Sequence, residues 1–226
     1  MSRFPARLMP EDRSSPRSAE EAQALARGRL YRLVGLAFAF PHDALYEELA
    51  SGAWERAVVE ASAALPFSLG LADLSLTPAQ AAGEELKAEY VRLFDVGRTG
   101  GPPCPLFAGH HERDRLHVME ELVRFYDFFG LSLAAGTMPD HLTAELEFMH
   151  FLTFREGEAL RDGGDRQSYL RAERDFLGRH LGRFLTRLAT KARAEKPLPF
   201  FDDLLELSHR FAQEDHAYVV ATLGGA

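Results

Sequence analysis

Met138-Pro139-Asp140-His141, running on into Leu142 to Leu152 (LTAELEFMHFL), is the stretch that decides the fold. Proline suits the first turn of a helix, because the N–H it lacks would have no intrahelical partner there. Thr137, three residues before Asp140, resembles a capping arrangement, and an acid in the first turn complements the positive end of the helix dipole. From Leu142 onward, Leu142, Leu146, Met149 and Thr153 fall on one face at helical spacing, and Phe148, Phe151, Leu152 and Phe154 cover much of the rest. A helix that is apolar nearly all round is a buried one. The expectation is a central buried helix with Asp140 and His141 at its exposed mouth, within reach of a partner.

Upstream, Ser18 and Glu21 form a capping box that opens a helix to about Phe40, with Leu25, Leu30, Leu33, Val34 and Ala37 facing inward and Pro41 stopping it. Short helices are expected at about 43–51 and 53–64. Thr77, Pro78 and Gln80 signal another start, for a helix to Phe94. Residues 95–109 hold four glycines and three prolines and cannot be helical; connections of this length inside compact domains are usually functional or disordered. A helix at about 110–129 presents Met119, Leu122, Val123, Tyr126 and Phe129, with Gly130 at its end. The central helix fades at 162–165, another spans about 166–194, and the last runs from about Phe201 to Leu223. No convincing strand alternation or internal repeat is present. The chain reads as all-α: a single globular bundle of roughly eight to ten helices over 19–226, behind a disordered segment 1–18.

The 226 residues are 46% hydrophobic and 27% charged, which is ordinary for a soluble domain. A net charge of −8 argues against non-specific nucleic-acid binding. The longest apolar run, Leu33 to Phe40, falls far short of the ~20 residues that span a membrane. One cysteine, Cys104, precludes an internal disulfide and suits a reducing compartment, so a cytoplasmic location is expected.

Among catalytic signals, Gly97 to Gly101 lacks the Lys-Ser/Thr of a phosphate loop, and no nucleophile elbow is present. Cys104 near His110 and His111 suggests a thiol nucleophile, against the commoner role of a small apolar residue. A metal reading is sharper. Two Glu-x-x-His motifs, Glu147 with His150 and Glu206 with His209, could hold a di-iron or di-manganese centre, with Glu89 and Glu121 completing it.

Three motifs in order change the weighing: Tyr90-x-x-Leu93-Phe94, a Gly/Pro loop holding Pro102-Pro103, and Pro139-Asp140-His141 opening a long apolar helix. Together they resemble the TorD/DmsD/NarJ family of cytoplasmic, all-helical chaperones for molybdenum oxidoreductases, over about residues 20–220. The resemblance implies a non-catalytic protein, without cofactor or metal of its own. Its partner would be the catalytic subunit of a molybdopterin oxidoreductase, bound through that subunit's twin-arginine signal and held until cofactor insertion and export. Asp140 and His141 match the pair implicated in signal recognition, Pro139 the residue before it, and Tyr90, Leu93 and Phe94 the aromatic-x-x-Leu-Phe segment. Pro103-Cys104 departs from the Pro-Trp of several members and looks more like the branch serving type II enzymes of the dimethyl sulfoxide reductase family. Asp140 would pair with a guanidinium of the signal, and Tyr90, Leu93 and Phe94 would line an apolar groove or support its walls. Asp140→Ala is then expected to leave the fold intact and weaken signal binding. Segment exchange into a homodimer, with 95–109 as hinge, stays open.

Overall fold

The computed structural model describes residues 2–4, 15–78, 83–97 and 100–225. Nine α-helical segments dominate them: α1 Ala19–Ala37, α2 Asp43–Ala50, α3 Ala53–Ser62, α4 Gly83–Tyr90, α5 Arg115–Phe128, α6 Leu142–Asp162, α7 Gln167–Phe176, α8 Gly182–Ala194 and α9 Pro199–Gly224. The all-α bundle expected from periodicity is therefore what forms. Wider turns extend two of the helices. Val91–Asp95 prolongs α4, with Val96 N–H bonded to the Val91 carbonyl, and Leu177–Leu181 joins α7 to α8. One short parallel pairing lies outside the sequence reading, β1 Ser2–Phe4 beside β2 Leu131–Leu133. Three residues are too few for an alternating pattern to register. The remainder of the expected disordered segment, 5–14, and the Ala79–Gln80 start lie outside the described residues.

Local signals set the boundaries. Ser18 Oγ accepts from Glu21 N–H, as a capping box requires, but the Glu21 carboxylate turns to Arg17 N–H and the Arg161 guanidinium. Leu30, Leu33, Val34 and Ala37 are buried as expected. Trp54 fills the space between α3 and α1, where its indole N–H donates to the Leu33 carbonyl. α6 is the buried helix its composition indicated, with Leu142, Leu146, Phe148, Met149 and Leu152 all inaccessible. Its most extensive partner is α1. Gly28 permits that close approach, because a Cβ there would meet Thr153 Oγ1 at 2.8 Å and His150 Nδ1 at 3.3 Å. On α5, Leu122 and Tyr126 are buried, but Val123, expected inside, is exposed.

At the centre of the packed helices is a charge that no motif marked. Arg27 of α1 is wholly buried and donates to Glu156 of α6 at 2.7 Å, to Glu173 of α7 and to Asp215 of α9; the Tyr31 hydroxyl also donates to Asp215. Its guanidinium also lies over the Tyr218 ring, 5.2 Å from the centroid. One guanidinium cannot neutralise three buried carboxylates, so burial pushes the Glu173 carboxyl up to about 8 despite Arg27, and Glu156 is raised too. Near neutral pH Glu173 therefore carries a proton.

Arg27→Ala should cost ~3–5 kcal/mol of stability, since it strands buried carboxylates without their cation; urea denaturation measures it. Glu173 also predicts a pH dependence. Its folded-state value lies above the carboxyl's ordinary one, so its contribution is full below about pH 4.5 and fades as pH rises through about 8. Glu173→Gln, which keeps the acceptor for Arg27, should flatten that decline in thermal melts recorded between pH 5 and pH 9.

Candidate functional site

Pro139, Asp140 and His141 precede α6 rather than begin it. The helix starts at Leu142, His141 is its N-cap, and the His141 ring nitrogen Nδ1 accepts from Thr143 N–H. The expected cap at Thr137 and the first-turn roles of Pro139 and Asp140 are thus shifted by one short turn. The reason is tertiary. The loop comes back across this segment, with Ala108 N–H donating to the Asp140 carbonyl (2.7 Å) and Leu142 N–H to the Leu106 carbonyl (2.8 Å), so Phe107 and His141 pair like strand residues. The Pro139 carbonyl accepts from the buried Tyr126 hydroxyl at 2.8 Å.

Asp140 does not lie at an exposed mouth. Its exposure is 0%, and Oδ2 accepts from Gly109 N–H at 3.2 Å. Among the described residues the cation paired with it is Arg115, whose Nε stands 3.7 Å from Oδ2 and whose side chain is 43% exposed, so it links the buried carboxylate to solvent. Oδ1 has no hydrogen-bond partner among the described residues, nor has either oxygen of Glu145, one turn into α6 and equally buried. Burial, reinforced by the neighbouring Asp140, drives the Glu145 carboxyl well above its usual range, so it is held protonated. Burial likewise lowers His141 below the usual imidazole value, with Asp140 opposing, and keeps its ring neutral. The Phe107 ring stands edge-on to that ring at 4.9 Å.

Tyr90, Leu93 and Phe94 belong to the core. Tyr90 donates its hydroxyl to the Phe38 carbonyl at 3.0 Å, and its ring meets Phe94 at 5.3 Å and Phe40 at 5.5 Å; Phe94 in turn meets Phe201 at 5.5 Å. Of the two roles considered for them, lining a groove or supporting it, their burial fits support. They reach the Asp140 corner through the loop, where Cys104 N–H donates to the Leu93 carbonyl at 2.9 Å. Cys104 itself is fully buried, and burial raises its thiol to about 11, which suits an apolar plug rather than a nucleophile.

The residues of the expected di-metal centre are spent on other partners. Glu206 binds Arg193 and Arg210, Glu89 binds Arg92 and Leu198 N–H, Glu121 binds Arg179, and His150 Nδ1 contacts the Gly28 carbonyl at 2.9 Å. Among the described residues no group of three or more His, Cys, Asp or Glu side chains could hold a metal. That reading is therefore corrected: the two motifs sit on α6 and α9 at helical spacing, but their helices do not present them to a common point. Glu147 is the exception in having no cation among the described residues; burial raises its carboxyl to about 7.

Sequence reasoning missed Arg115, Glu145 and Gly109, the residues that define the environment of Asp140. Glu145 carried a signal, an acid at the buried position between Leu142 and Met149. Asp140→Ala would remove the acceptor from a buried N–H and should cost ~1–3 kcal/mol, a loss the fold survives but a melt detects. Gly109→Ala should also destabilise, since its Cβ would lie 2.4 Å from Arg115 Cγ and 2.8 Å from Asp140 Oδ2.

Residues 47–190, from α2 to α8, match the nitrate reductase delta subunit family. The selenate reductase assembly chaperone protein of Thauera selenatis is 35% identical over 179 residues, covering 77% of this chain and 80% of that one. For the perchlorate reductase assembly chaperone protein of Dechloromonas aromatica (strain RCB) the identity is 33% over 203 residues, 84% of this chain and 88% of that one. The dimethyl sulfide dehydrogenase assembly chaperone protein of Rhodovulum sulfidophilum is 34% identical over 223 residues, 89% and 86% of the two chains. Similarity that runs through the helices, the Gly/Pro loop and the Asp140 corner alike makes this chain a member of the nitrate reductase delta subunit family, the group of assembly chaperones to which the motifs from Tyr90 to His141 pointed.

Proposed function

We propose that the chain is an assembly chaperone, not an enzyme, for the catalytic subunit of a molybdopterin-containing oxidoreductase. What carries this reading is the near full-length similarity to three proteins, each an assembly chaperone of an oxidoreductase. Those relatives serve selenate reductase, perchlorate reductase and dimethyl sulfide dehydrogenase, which favours a client of the type II branch of the dimethyl sulfoxide reductase family. The chaperone meets its client in the cytoplasm, binds its twin-arginine signal, and holds it until the cofactor is in place. No helix among the described residues is long and apolar enough to cross a membrane, which agrees with that site of action.

The Asp140 corner suits a guanidinium. A carboxylate with one oxygen unpaired and Arg115 3.7 Å from the other already accommodates such a group at its edge. An incoming arginine would take the place of Arg115 and gain a charge-assisted bond to Oδ2 in a site largely shielded from water. Pro139 fixes the backbone ahead of Asp140, the neutral His141 ring stays bound as N-cap, and Tyr90, Leu93 and Phe94 keep the underlying core rigid.

Calorimetric titration with twin-arginine signal peptides from the molybdoenzymes of the same genome tests the reading. One peptide should bind one-to-one, and replacing its arginine pair by glutamine should weaken it at least tenfold. Asp140→Asn, which preserves shape, should reproduce that loss at unchanged melting temperature. Binding to none of the peptides would reject signal recognition, and equal binding by Asp140→Asn would remove Asp140 from it.

A further inference from the structure

A second concave surface lies between α5 and the continuous helix formed by α7, Leu177–Leu181 and α8; Ala108, whose N–H donates to the Asp140 carbonyl, is at one edge of it, but the Asp140 side chain is not among its walls. It has two adjoining parts that share Glu121 and Arg179. One part, about 540 Å³, is floored by Phe125, Phe128, Phe129 and Ala172. The other, about 710 Å³, carries Arg113, Arg179, Arg183, Arg187 and Lys191, against the carboxylates Glu112, Asp114 and Glu121.

The apolar part is open. Phe128 is 81% exposed at the C-terminal end of α5, where its ring meets only Phe129, at 5.1 Å, among the described rings. A large aromatic side chain left in water forgoes a burial worth ~2 kcal/mol or more, and in a soluble protein such a residue beside a concavity marks a contact surface. The charged part is cationic in a chain whose net charge is −8. Arg179, Arg183, Arg187 and Lys191 recur every four residues and so share one face of the helix. Two of the three carboxylates are already committed, Glu121 to Arg179 and Glu112 to Arg187. Arg183, Lys191 and Arg113 are exposed and have no ion pair among the described residues. Between the two parts lies His180, 6% exposed. Its ring is wedged against Phe125 and Phe176 (5.4 and 5.5 Å), and among the described residues its Nε2 has no hydrogen-bond partner, being 3.8 Å from Glu121 Oε2. A buried polar atom at the wall of a cavity is a waiting donor or acceptor for what fills it.

These charges oppose the arginines of a twin-arginine signal, so this surface and the Asp140 corner select different chemistry. A lone inorganic anion would use the cations but leave the aromatic floor bare. A peptide with carboxylates next to phenylalanine or leucine uses both, through bidentate guanidinium–carboxylate pairs and burial of the ring on Phe125, Phe128 and Phe129. We propose that the α5–α8 groove is a second client-docking surface, which takes an acidic, apolar segment of the oxidoreductase subunit outside its signal. This rests on the chaperone reading above and adds to it a hold on the folded or folding body of the client.

The test uses overlapping 15-residue peptides, fluorescein-labelled, spanning the mature catalytic subunit whose signal binds in the titration above. Anisotropy is read against the wild-type chain, Phe128→Ala and Arg183→Glu; both side chains are exposed, so the fold should tolerate either change. One or more peptides carrying carboxylates beside Phe or Leu should bind wild type, weaken at least tenfold in each variant, and weaken with added salt. Signal-peptide affinity should stay within twofold in both variants. The proposal is overturned if no acidic, apolar peptide binds, or if binding ignores both substitutions. It is also overturned if inorganic phosphate binds in an Arg183-dependent way while no peptide does, or if sedimentation shows Phe128 instead sealing an interface between two copies of the chain. Retained signal binding alongside such a result would reject the groove alone, whereas absence of signal binding by the wild-type chain would reject signal recognition and not the groove.

Discussion

The buried Arg27 guanidinium is the constraint on which the packing depends. There α1, α6, α7 and α9 meet through directed bonds rather than through apolar contact. Apolar faces define which side of a helix turns inward but tolerate sliding, because dispersion and burial change gently with register. A planar fork of donors does not tolerate it. Glu156, Glu173 and Asp215 must arrive at set positions around one group, and a helix shifted by a turn would leave a carboxylate in an apolar interior. The partners compensate the burial of the guanidinium, whose charged form is strongly favoured, whereas burial of the Glu173 carboxyl is not fully offset and leaves it protonated.

The same logic separates the rigid part of the molecule from the part proposed to meet a client. Tyr90, Leu93 and Phe94 are locked by ring contacts and by the Tyr90–Phe38 bond, and the loop is pinned at both ends, to Leu93 and to the residues around Asp140. What this frame presents is a carboxylate only half satisfied, with Arg115 leaning over it from solvent. A protein that binds and releases needs a site whose resting contacts are good enough to hold shape and poor enough to be exchanged. A 3.7 Å ion contact from a partly exposed arginine meets that description better than a tight buried pair would.

Much of this was legible beforehand. Helix count, the buried character of α6, the cap at Ser18 and the break at Pro41 all follow from spacing and from which side chains satisfy terminal N–H groups. The motifs that carried the family resemblance were also in plain view, because they are contiguous: Tyr90 to Phe94, the prolines of the loop, Pro139 to His141. The hub left a fainter trace. Arg27 lies between Ala24 and Tyr31 on the buried face of α1, Glu173 between Leu170 and Phe176, Asp215 between Phe211 and Val219. Each is a charge where the apolar stripe calls for a hydrophobe, and three such interruptions of complementary sign can be read as one buried cluster only when the helices are known to converge.

The sequence by itself determined the class of fold, the position of nearly every helix and the kinship of the chain, since these depend on local periodicity, on capping chemistry and on short runs of adjacent residues. Tertiary structure alone decided that Asp140 is buried rather than exposed, that α6 begins after His141, and that the Glu-x-x-His motifs serve ion pairs and packing instead of a metal. It alone also set the aromatic floor of Phe125 to Phe129 beside the cations of α8. The physical reason is common to all four. Burial, the partner of a charge and the walls of a groove are properties of the space between elements, fixed by how the loop folds back and which helices approach, and no window of consecutive residues contains that information.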